Sequence, residues 1–208
     1  INALQIGYCP PDILLQYHAS IAIEAGIAWS DKGVVTLASR IIFPFQVEGE
    51  ITDLWGRSLD PHEEVRYKGP FGGAWKRGSD YCYMHDKAYT NPEYIVRTEG
   101  LIKAIVSNQY GIPCVANPGT TASRTGTPPL QGQRQIIIYD NQVSHRRELL
   151  AAIKKEAEKY HDAYIGTLPL RGRKKIDIDT FILEDGIDEY RRVVNGALPY
   201  KQWLSLIR

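Results

Sequence analysis

The stretch Tyr94-Ile95-Val96-Arg97-Thr98-Glu99-Gly100 constrains this chain most. Residues that favour strands run into an acid and a glycine, and helix-like spacing follows over 100–110. A strand is predicted over 94–98, so Glu99 falls where a strand gives way to a helix. That position is the carboxyl edge of a sheet, where open α/β folds place their ligands. The arrangement recurs downstream. Ile136-Ile137-Ile138-Tyr139 is a buried-strand run that ends in Asp140. Leu149, Leu150, Ile153, Ala157 and Tyr160 then recur at helical spacing, which predicts a helix over 144–160. With strands expected at 113–116, 135–139 and 163–167, two carboxylates reach one sheet edge, an arrangement suited to a cation. Each acid also fits a plain role as a helix cap or first-turn residue.

The flanking segments read differently. Residues 1–39 form a helical lead-in, with Pro10-Pro11-Asp12 as stop and cap and a helix from Ala19 to Ala28. Arg40 to Phe45 and Ile51 to Arg57 make a hairpin around Glu48-Gly49-Glu50, and Pro44 marks an edge or a bulge. Residues 58–92 interleave bases and aromatics, as in Arg66-Tyr67-Lys68 and Trp75-Lys76-Arg77-Gly78. Such a segment suits phosphate contacts and base stacking, and equally a solvated loop with aromatic anchors. Pro128 and Pro129 keep the Gly119–Gly132 stretch a loop. After the basic run Arg171 to Lys175 come Asp177-Ile178-Asp179, a helix to about Leu183, a stop at Gly186, and helices near 187–194 and 199–207. The expected fold class is α/β (α+β overall): a mainly parallel sheet flanked by helices over 93–170, an N-terminal α/β subdomain over 1–92, and a short helical tail over 171–208.

The 208 residues carry a formal net charge of +1. That excludes a polycation that coats nucleic acid indiscriminately, but it permits a local basic patch beside acids. No apolar run reaches the roughly 18 residues of a membrane span. Cys9, Cys82 and Cys114 lack zinc-ribbon spacing, which favours a reducing cytoplasm. Cys82 and His85 form a C-x-x-H pair whose spacing is read as chance. The chain opens on Ile1, so a fragment of a longer protein is expected. Hard cations such as Mg²⁺ take few carboxylates and keep waters for phosphates to displace, and phosphoryl transfer pairs such acids with bases. Glu99, Asp140, Asp177 and Asp179, with the bases around them, supply both ingredients.

In order along the chain, these motifs resemble the RNA-polymerase core of bacterial DnaG-type DNA primases, whose central unit is a TOPRIM domain. Leu4 to Pro11 matches that family's opening segment, and Arg40 to Arg57 its R-x-x-F-P-I hairpin ending in G-R. Arg66-Tyr67 and Trp75-Lys76-Arg77-Gly78 fall at K-Y and H-K-G-R. Glu99-Gly100, Gly119-Thr120, Tyr139-Asp140 and Leu168-Pro169 followed by Asp177-Ile178-Asp179 continue the register. The sequence departs twice, with Lys103 at the second acid of E-G-x-x-D and Gln142 at the second acid of D-x-D.

The resemblance implies metal-dependent synthesis of an RNA primer on single-stranded DNA. Glu99 and Asp140 would be catalytic, and Glu99, Asp140, Gln142, Asp177 and Asp179 would hold Mg²⁺ or Mn²⁺. Arg40, Arg57, Arg66, Lys76, Arg77 and Lys103 would meet nucleic acid or nucleotide. Nucleoside triphosphates are implied as substrates, and a replicative helicase as a partner through regions outside this chain. The divergence points to a phage, plasmid or mobile-element primase. The alternative reading is a degenerate TOPRIM-fold module that binds nucleic acid or a replication partner. A TOPRIM nuclease fits less well.

Overall fold

Strand-forming runs separated by helix-length segments fold here into two sheets of different character. The computed structural model describes residues 4–28, 35–70, 81–117, 127–141, 146–172 and 174–207. The chain divides into two units, Ile1–Tyr81 and Cys82–Arg208.

The first unit is built on an antiparallel sheet in the order β1-β2-β3-β4. Its centre is the predicted hairpin, β2 (Arg40–Val47) and β3 (Glu50–Ser58). Glu48 and Gly49 turn it with positive φ, at 53° and 82°. Pro44 satisfies both expectations for it. The partner β1 (Gly7–Cys9) reaches Arg40, Ile41 and Ile42, so among the described residues β2 is an edge at Pro44, and a register shift follows between Phe45 and Gln46. β1 itself was expected to be helical lead-in; three residues with a glycine give too short a period to read as strand. α1 (Ile13–Gln16) and α2 (Ala19–Glu24) follow it, and β4 (Tyr67–Lys68) closes the sheet.

The second unit is the α/β unit that the acid-ended strands predict. β5 (Tyr94–Thr98), β6 (Cys114–Ala116), β7 (Arg134–Ile137) and β8 (Ala163–Ile165) are parallel, and β9 (Leu198–Pro199) adds an antiparallel edge, giving the order β6-β5-β7-β8-β9. α3 (Leu101–Gln109) joins β5 to β6, and α4 (Arg146–Ala157) joins β7 to β8. One crossover thus moves outward from β5 and the other outward from β7, so the strand order reverses between them. Right-handed crossovers in opposite directions put their helices on opposite faces. Ile153 and Ala157 of α4 pack on Ile137, Tyr139, Ala163, Ile165 and Trp203. On the other side, Ser107 of α3 hydrogen-bonds the Tyr190 hydroxyl at 3.2 Å.

The segments on either side of 93–170 belong to this unit too. Tyr83 pairs with Ala116, and Cys82 and Ala88 pack with Ile95 and Val115, so these residues of 82–92 form part of its core. The tail supplies α5 (Ile178–Asp185), α6 (Ile187–Asn195) and α7 (Tyr200–Leu206) as well as the edge strand β9. Among the described residues no helix is long and apolar enough to cross a membrane.

Candidate functional site

The strand order reverses between β5 and β7, and the carboxyl edge at such a reversal is the usual ligand position of open α/β sheets. Glu99 leaves β5 there and Asp140 lies just past β7, and the ammonium of Lys103 reaches both carboxyl groups. Burial first, and then the charge of Asp140, raise the Glu99 carboxyl above its ordinary range, against the pull of Lys103. An antiparallel bridge then brings in the second pair of acids. Asn141 and Ile176 exchange backbone hydrogen bonds of 2.8 and 2.9 Å, which ties the residue after Asp140 to the residue before Asp177.

Asp177 caps α5 through the Thr180 N–H, which donates to its Oδ1 at 3.1 Å. Burial opposes the Asp177 charge, yet the hydrogen bonds from Thr180 hold its carboxyl below the ordinary range. Burial, followed by the charge of Asp177, pushes Asp179 in the first turn of α5 upward. Asp179 Oδ1 is buried without a hydrogen-bond partner among the described residues.

Two lysines answer these acids. Lys103, in the first turn of α3, lies with Nζ 3.5 Å from Glu99 and in direct contact with Asp140 Oδ1. A cation in a helix's first turn opposes the macrodipole; here two carboxylates compensate. Lys175 Nζ reaches the other oxygen of Asp140 at 2.5 Å, and half of its side chain stays exposed. Burial works against the Lys175 ammonium, but its hydrogen bond to Asp140 and the charges of Asp140 and Glu99 raise its affinity for the proton.

Four carboxylates facing two ammonium groups leave two negative charges, the formal charge of one divalent ion. A cation beside Lys103 meets repulsion of about 8 kcal/mol at 4 Å and an effective dielectric near 20, twice the unit-charge value. Among the described residues no three of His, Cys, Asp and Glu converge to hold a metal ion. The lysine charges and the missing third ligand do not fit a two-metal centre on all four acids, and the buried Asp179 Oδ1 is the oxygen left without a hydrogen-bond partner among the described residues.

The remaining predicted site residues fall elsewhere. Arg40 is 2% exposed. It donates to the carbonyls of Gly56, Val65 and Arg66 and pairs with Glu63, so its guanidinium faces inward to brace the hairpin. Arg57 is half-buried on β3 opposite Tyr67, and Arg66 is exposed. Lys76, Arg77 and Gln142 lie outside the described residues. In the basic run, Arg171 and Lys174 are tied to Glu184, and Arg171 also to Asp185. The C-x-x-H pair converges on Thr127. Cys82 N–H donates to Thr127 Oγ1, and His85 Nδ1 lies 2.9 Å from that hydroxyl.

Sequence reasoning missed the particular role of Lys175, which only the Asn141–Ile176 bridge creates. It also missed a buried polar network behind the sheet. Arg97, 1% exposed, donates to Gln135 and to the Thr127 carbonyl and stacks on Tyr160 at 4.2 Å. A charged residue inside a run of buried-strand residues was the signal for it.

No family model and no curated protein sequence matches the chain. Solved structures do. The Escherichia coli primase catalytic core is 22% identical with a TM-score of 0.72, over 98% of this chain and 70% of that one. A DnaG primase catalytic domain bound to single-stranded DNA is 22% identical with a TM-score of 0.69, over 96% of this chain and 69% of that one. An Aquifex aeolicus primase with zinc-binding and RNA-polymerase domains is 22% identical with a TM-score of 0.70, over 93% of this chain and 51% of that one. At 22% identity these likenesses speak to the fold, and the chain has the fold of the DnaG primase catalytic core.

Proposed function

We propose that this chain is a primase-type core that holds single-stranded DNA and makes a short RNA primer on it during replication. The observation that carries the reading is the site at the strand-order reversal, where two acid pairs meet two lysines on a primase-core fold. Nucleotidyl transfer builds negative charge on the phosphates of a nucleoside triphosphate, and preorganised cations at that point lower the barrier. Lys175, half exposed, and Lys103, largely buried, are the chain's own cations there. Asp177 and Asp179 would hold one Mg²⁺ or Mn²⁺, which when bound neutralises phosphate charge and activates the attacking hydroxyl. Arg57, Arg66 and the Lys76-Arg77 segment are the bases offered to the DNA backbone, in keeping with the similar primase domain bound to single-stranded DNA. A replicative helicase is the partner such a core would serve.

The ion pairs of Lys103 favour one second reading, a core that binds DNA and has lost synthesis. Incorporation of labelled ribonucleotides on a single-stranded template, beside binding of that template, tests both. Primer made by wild type, and reduced at least tenfold by Asp179→Asn, supports the first reading. Template binding without primer supports the second. Neither binding nor primer overturns both.

A further inference from the structure

We propose that Lys103 is the resident cation of the Glu99–Asp140 pair: its ammonium holds the place of a divalent ion, and the pair itself takes no metal. The geometry is that of a bridging ion. Nζ contacts Asp140 Oδ1 and lies 3.5 Å from Glu99 Oε1, between strands that the fold brings side by side. The second oxygen of Asp140 is also covered, by Lys175 at 2.5 Å, so a metal there would have to displace two ammonium groups.

The backbone makes room for this arrangement. Gly100 has an ordinary φ of −118°, so its lack of a side chain matters for space and not for strain. A Cβ on Gly100 would lie 3.0 Å from both Cδ and Cε of Lys103, because the lysine stem folds back along the first turn to reach the carboxylates. The side chain is only 11% exposed, a degree of burial that lysine rarely adopts without partners. A tethered cation loses little entropy on pairing and needs no free ion, so the two carboxylates keep a counter-charge whether or not divalent ions are present. The proposal goes beyond primer synthesis and does not depend on it, since it concerns the protein without DNA or nucleotide.

Mn²⁺ titration of the full chain, followed by electron paramagnetic resonance and calorimetry in the absence of nucleotide, tests it. Wild type and Glu99→Gln are expected to bind the same number of Mn²⁺ ions. Lys103→Met is expected to gain one Mn²⁺ site, and Lys103→Met combined with Glu99→Gln to lose it again. Lys103→Gln, closer in polarity, serves the same comparison if the methionine variant does not fold. A Mn²⁺ site lost from otherwise wild-type protein on Glu99→Gln would overturn the proposal, as would a folded Lys103 variant that gains none.

Discussion

Arg40 and Lys103 show how the work of a basic residue depends on what the fold puts beside it. Both were read as contacts for nucleic acid. The spacing of R-x-x-F-P-F says where Arg40 lies on a strand, but nothing in it says that three carbonyls and Glu63 close around the guanidinium. Removing such a buried cation leaves its partners unsatisfied, so Arg40→Met should destabilise the first unit by about 3 kcal/mol in urea unfolding. Glu63 feels the same contacts. Hydrogen bonds from Ser58 and Lys68, then the Arg40 charge, lower its carboxyl from 4.5 to about 2. A depressed carboxyl contributes stability above its unfolded-state value and loses it as pH falls through the folded one. Wild type should therefore lose stability from pH 4.5 towards 2 more steeply than Glu63→Gln, as read by acid titration of the unfolding midpoint. Lys103 was legible as a departure from an acid-bearing motif, whereas its two partners became definite only in three dimensions.

The elements were legible to the extent that each formed its own period. β5 spans the predicted 94–98, and α3 lies within the predicted 100–110, because a strand ending at an acid and glycine leaves little choice. β7 stops at Ile137, and Ile138 and Tyr139 stay buried beyond the ladder. β1 and β9, of three and two residues, exist only through their partners β2 and β8, so no local pattern announced them. α5 depends on Asp177 at its start, and Asp177→Ala should cost about 1 kcal/mol by loss of the cap, while Asp177→Asn keeps most of it. Gly166, just past β8, has Ile138 Cγ1 2.8 Å from where a Cβ would stand. Gly166→Ala should cost about 1–3 kcal/mol in thermal or urea unfolding through overpacking, with no change in metal binding.

At the scale of the whole molecule, the parallel sheet and its strand-order reversal put Glu99, Asp140, Asp177, Asp179, Lys103 and Lys175 into one site, all within the unit Cys82–Arg208. The sequence held the acids in order but not the bridge between Asn141 and Ile176 that joins their two pairs, since such a bridge depends on chain segments 35 residues apart. If the bases of this fold meet a DNA backbone, binding of single-stranded DNA should weaken steadily as salt rises. Arg66→Ala should weaken it on every template alike and flatten the salt slope by about one counterion, as read by fluorescence anisotropy. The account turns on the cation that Glu99 and Asp140 hold, and anomalous diffraction from crystals soaked in Mn²⁺ observes it directly. The expected map shows Lys103 Nζ between the two carboxylates and no Mn²⁺ peak within about 2.5 Å of either. A Mn²⁺ peak shared by Glu99 and Asp140, with the Lys103 side chain swung away, would contradict it.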